Sequence, residues 1–218
     1  LLAEIPNLIK KIPIKESISQ EFNLNNSKLL LKKFKTSYLT TSKHPGALGS
    51  SYIEYYNNKI FLVSANGLVS FTNVENFNSN KAFDFQVINT NIKDFVKNKL
   101  FYTNSEVGIK DVLIKDKKIY LSFTNLQDVS EDCYNTAIVV SEINTTNLEF
   151  KELFTPIECV KRLNAYGDFS AIQSGGRMFS LDKDNILFTV GDYRYRDHAQ
   201  NSKNIFSTLQ KIDLRTKK

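Results

Sequence analysis

The stretch QSGGRMFSLDKDNILFTVGD, Gln173 to Asp192, keeps its apolar residues in the middle and places Gln173, Arg177 and Asp192 towards its ends. A carboxamide, a guanidinium and a carboxylate at one end of a hairpin can hydrogen-bond the hydroxyls or charged groups of a polar ligand. The carboxamide has no titratable nitrogen near neutral pH, so Gln173 can position a hydroxyl but cannot take its proton. Arg177 and Asp192 have a second reading, a buried ion pair that links two inner strands. Just downstream, DYRYRDH interleaves Tyr193 and Tyr195 with Arg194 and Arg196. That pairing suits sugar rings, carboxylates or phosphates through stacking and bidentate hydrogen bonds, the alternative being a rim loop with solvated arginines. Gln173, Arg177, Asp192, Arg194 and Arg196 are therefore the candidate ligand-binding residues, for a carbohydrate or another polar small molecule. His198 is a nearby histidine that could act as a base, whereas His44, in SKHPGALG, belongs to a loop. Two widely separated histidines support no His-based zinc site, and no metal ligands are assigned. Walker, dinucleotide and nucleophile-elbow motifs are absent.

The elements that must carry these residues are short strands. Gly175-Gly176 admits a tight approach of backbone into one strand, and Gly191-Asp192 lets the chain leave the next at the same end. The hairpin between them, turning around Asp184-Asn185, is the third copy of a pattern. SYIEYYNNKIFLVSANG turns at Asn57-Asn58 and IKDVLIKDKKIYLSF turns at Asp116-Lys117. The second strands start at residues 59, 118 and 185, and further strand candidates follow each pair. Four-stranded antiparallel units in succession predict an all-β chain of β-propeller blades, which bury their faces only by packing around an axis. Blades are expected over 50–90 and 107–159, with an incomplete one over 170–218 and a lone outer strand over 28–41. About three blades cannot close a ring, so the chain is expected to be a partial propeller whose remaining blades lie elsewhere in a longer protein. The competing architecture is a β-sandwich.

Two cysteines, Cys133 and Cys159, flank TAIVVSEI and EFKELFTP, strand-like runs joined by the turn Asn144 to Asn147. Both lie equally far from Thr146, so a hairpin centred there would oppose them within reach of a disulfide. The alternative is a pair of buried free thiols. A disulfide would place the protein in an oxidising setting, secreted or periplasmic. The first residue is Leu1, leaving room for a removed signal peptide or anchor, and no apolar run is long enough to span a membrane.

Composition agrees with a β-rich globular chain: of 218 residues, 41% are hydrophobic, and Ile, Val, Phe and Tyr are prominent. The net charge of +6 is spread along the chain without a nucleic-acid-binding motif, so a nucleic-acid partner is not expected.

The segment SGGRMFSLDKDNILFTVGD with the later AQNSKNIFSTLQKIDL resembles the soluble quinoprotein glucose/sorbosone dehydrogenases. The resemblance is clear over about 45 residues, Gln173 to Leu214. It implies a six-bladed propeller that binds pyrroloquinoline quinone (PQQ) and calcium and oxidises sugars. The family's histidine base falls at Gln173, the residue that orients it at Asp192, and its arginine at Arg177. The Leu-Gly-Lys-Ile pattern has become Leu209-Gln210-Lys211-Ile212. Loss of the base implies a secreted binding or scaffolding module. The alternative is a PQQ- and calcium-dependent aldose oxidoreductase with a non-standard base.

Overall fold

The computed structural model describes residues 10–25, 27–35, 51–79, 81–96, 100–103, 106–165, 167–199 and 201–216. His44 and residues 36–41 of the expected lone strand lie outside them. The described residues form fifteen strands in three sheets, antiparallel except for one short parallel pair, with only short helical turns between them.

The first sheet contains β1 (Lys11–Leu24), β2 (Ser27–Lys35), β3 (Ser51–Tyr56), β4 (Lys59–Ser64), β5 (Val69–Asn73) and β6 (Phe83–Thr90), in the order β2-β1-β6-β5-β4-β3. In the second, β7 (Ile109–Lys115), β8 (Lys118–Asp128), β9 (Cys133–Glu142) and β11 (Lys151–Phe154) run in sequence, and β12 (Val160–Lys161) also pairs with β9. The third is β13 (Gly175–Ser180), β14 (Asn185–Val190) and β15 (Thr208–Asp213). The leading strands β3, β7 and β13 pack side by side, β7 between the other two. This is a partial β-propeller, with the leading strands innermost.

Local chemistry sets the hairpins. Asn57-Asn58 and Asp116-Lys117 adopt positive φ at both positions, the twist that suits two-residue hairpin turns. In the third hairpin Asp182 makes the turn, its carboxylate accepting from the Asp184 amide and the Asn185 side chain, and Asn185 already belongs to β14. Alternation in β4 turns Phe61 and Val63 into the core that joins all three sheets. A second cluster, with Ile12, Ile14, Leu68 and Phe85, lies apart from it.

Two expectations need correction. Residues 28–35 are not a lone strand: they lie in β2, which pairs with β1, while Lys11–Ile14 of β1 pairs with β6. The signal was present in Ile12 and Ile14, whose alternation seats them in the second cluster. The disulfide Cys133–Cys159 forms, with a Cα–Cα distance of 5.4 Å, but the cysteines are not directly opposed. Lys161 is the strand partner of Cys133, because a bulge at β11 and the Pro156 break shift the register. The hairpin is also interrupted by β10 (Asn147–Leu148), which leaves for the first sheet and pairs in parallel with β6. There Asn91 both donates to and accepts from the Phe150 backbone, tying the two sheets.

Candidate functional site

Gln173, Asp192 and Arg194 lie at the end of the third sheet where β13 begins and β14 ends. Gly175 pairs with Val190, so the chain just before β13 runs beside the chain just after β14. The Gly191 amide donates to the Ser174 carbonyl and the Tyr193 amide to the Gln173 carbonyl. A Cβ on Gly191 would lie 1.8 Å from the Gln173 oxygen, which explains the glycine before Asp192. Gln173 ends a one-turn 3-10 helix, Ala171–Gln173, and is exposed. Asp192 is half-buried, and its carboxylate accepts the Arg194 amide, closing a tight turn in which Tyr193 and Arg194 have positive φ.

Arg177 and Asp192 do not form the ion pair that one reading of the sequence allowed. Arg177 instead donates to Asp111 of β7 at 2.9 Å, and its guanidinium lies 5.6 Å from the centroid of the Tyr52 ring on β3. Three innermost strands thus meet at one guanidinium. Asp111 is only 8% exposed in its side chain and also accepts the Met178 amide at 2.7 Å. Burial nevertheless pushes its pKa up, against the pull of those two donors.

Asp111 belongs to a seam in which side chains of the second sheet hold backbone of the third. Ser122 donates to the Gly176 carbonyl at 2.5 Å and Thr136 to the Ser174 carbonyl at 2.9 Å. Lys110 donates to the Ala171 carbonyl at 2.7 Å, and Glu106 accepts the Ala171 amide and the Ser170 hydroxyl. Burial lowers the Lys110 amine to about 8, with Glu106 pulling it back up. At Gly176, φ is +103° and an added Cβ would meet the Lys110 Cβ at 2.4 Å, so close approach of the sheets requires glycine.

The DYRYRDH turn divides its residues. Tyr193 is fully buried, sharing a 2.6 Å hydrogen bond with Thr136 and stacking on Phe169, which leaves it unable to receive a sugar ring. Arg194 pairs with Asp168, both about half exposed, and Arg196 is exposed. His198 stacks on Tyr195, hydrogen-bonds Asn204 through Nδ1 and has its pKa lowered by partial burial. These partners make His198 a member of the loop's packing.

Sequence reasoning missed Tyr52, Glu106, Lys110, Asp111 and Asp168, all supplied from other parts of the chain. The family resemblance implies calcium and PQQ, and the charged groups near the mouth already have partners within the chain. The carboxylates of Glu106, Asp111 and Asp192 each accept backbone amides, and Arg177 is committed to Asp111. Among the described residues, no three His, Cys, Asp or Glu come together as a metal-ligand group.

No family model and no curated protein matches the sequence. Solved structures do. A glucose dehydrogenase superimposes with a TM-score of 0.54 at 14% identity, over 75% of this chain and 47% of its own. The soluble aldose sugar dehydrogenase of Escherichia coli, in its apo form, gives 0.52 at 14% identity, over 76% of this chain and 43% of its own. The chain thus has a sugar-dehydrogenase-like fold and spans less than half the length of these structures.

Proposed function

We propose that this propeller binds a polar ligand, a saccharide by preference, at the mouth bordered by Gln173, and does so without oxidising it. The protein is then an exported binding or scaffolding module, and the Cys133–Cys159 bond suits an oxidising compartment. The observation that carries this reading is Gln173 itself, an exposed carboxamide where the resemblance calls for a base. Nearby groups that could replace the base are occupied: His198 by Asn204 and two aromatic rings, Lys110 by backbone carbonyls. Gln173, Asp192 and Arg196 offer a donor–acceptor set suited to hydroxyl groups, and exposed Arg177 extends it towards the axis.

Titration calorimetry against neutral and acidic monosaccharides tests the binding claim. Saturable binding that weakens about tenfold in Gln173→Ala and in Arg196→Ala supports it, one such contact being worth about 1.4 kcal/mol. Absence of binding across the panel, or affinity unchanged in both variants, overturns it.

A further inference from the structure

The ribbon formed by β1 and β2 leaves the first sheet after Ile14. From Lys15 to Leu24, among the described residues, β2 is the only strand paired with β1. Ten residues of extended chain make an arm about 30 Å long. Cross-strand register fixes its two faces, because directly opposed residues share a side. One face carries Ser19, Glu21 and Asn23 opposite Lys32, Leu30 and Lys28. Its base is turned to the body of the protein: Lys32 donates to the Phe77 carbonyl, and the Phe34 ring packs edge-on against Phe77 and Phe83.

The other face points away from that contact. There Ile18, Phe22 and Leu24 stand beside Leu31 and Leu29, with side chains exposed by 41–60%. Its single charged residue from Ile18 outward is Lys33, opposite Ile18. Residues 15–35 contain five lysines and two glutamates, and one of the latter, Glu16, is paired with Lys32. A two-stranded ribbon presenting five large apolar side chains is not stable in water on its own merits.

We infer that this arm docks the protein onto an anionic lipid surface. Its apolar face enters the boundary between headgroups and acyl chains, while Lys28, Lys33 and Lys35 meet the headgroup phosphates. The ribbon's edges, which pair with no further strand among the described residues, keep it in the interface and out of the hydrocarbon core. Charge selects this occupant over a second copy of the chain, since two identical arms, each with five lysines against two glutamates, repel. The inference is independent of what binds at Gln173.

Co-sedimentation with phosphatidylcholine vesicles, with and without about a quarter phosphatidylglycerol, tests it. The expected result is at least about tenfold stronger partitioning onto the anionic vesicles, weakened by salt. Lys28→Gln and Lys33→Gln should each lower it about fivefold, and Leu29→Asn with Leu31→Asn should abolish it. Circular dichroism and melting of the variants establish that they fold. As an independent readout, Phe22→Trp should shift its fluorescence to the blue on anionic vesicles alone. Equal partitioning onto neutral vesicles, no partitioning, or insensitivity to the variants would overturn the inference. So would a dimer in light scattering that Leu29→Asn disperses.

Discussion

The seam between the second and third sheets and the β1–β2 arm use the same kinds of residue to opposite ends. In the seam, Asp111, Lys110 and Glu106 are directed inward, each bonded to backbone of the third sheet or of the turn that leads into it. In the arm, lysines and leucines stand in solvent with few partners in the protein. A charge that satisfies buried backbone groups holds a fold together, whereas an exposed charge beside exposed apolar side chains is available for something else. Position in the fold, more than residue type, decides which role a lysine plays.

If that contrast is right, substitutions in the seam cost stability and those in the arm do not. The largest effect is expected for Gly191→Ala, whose Cβ would fall 1.8 Å from the Gln173 oxygen. A loss of about 4 kcal/mol or failure to fold, read by denaturant unfolding, is expected. Next comes removal of the Cys133–Cys159 bond by paired serines, at about 2–4 kcal/mol under oxidising conditions. Asp111→Ala should follow at about 2–3 kcal/mol, because it orphans the Met178 amide and releases Arg177. A wild-type-like melting curve for Asp111→Ala would dissolve the distinction between the regions.

Lys110 sharpens the comparison through pH. Its amine sits at about 8 in the folded protein, below the ordinary lysine value near 10.4, chiefly through burial. Between those values the unfolded chain holds more protons, so stability should rise as pH climbs from about 8 to about 10.4. Relative to Lys110→Met, that gain should be roughly 1–3 kcal/mol, followed by urea unfolding across the range. A parallel pair of curves would place the amine in water. The smallest effect belongs to the arm: Leu31→Asn should change stability by less than about 0.5 kcal/mol.

Much of the fold was legible because its signals are local. The Asn57-Asn58 and Asp116-Lys117 turns announce themselves by residue type, and alternation in KIFLVS and NILFTV marks half-buried strands. The cysteine bond was readable from spacing even though the register beneath it differs. Only half of the arm is legible: β2 has a strand pattern, whereas Pro13 and the polar run after Lys15 weaken that of β1. The site was harder, because its partners come from distant sequence. Nothing near Arg177 in the chain announces Asp111 or Tyr52, and nothing in DYRYRDH shows that Tyr193 turns inward while Arg194 and Arg196 turn out.

On the proposed reading, the mouth binds but does not oxidise. The most direct test is dye-linked turnover by the full-length protein supplied with PQQ, calcium ions and a panel of aldoses. The expected result is no dye reduction above the protein-free background. Sustained reduction that Gln173→Ala leaves intact would contradict the account, since another group would then be removing the proton.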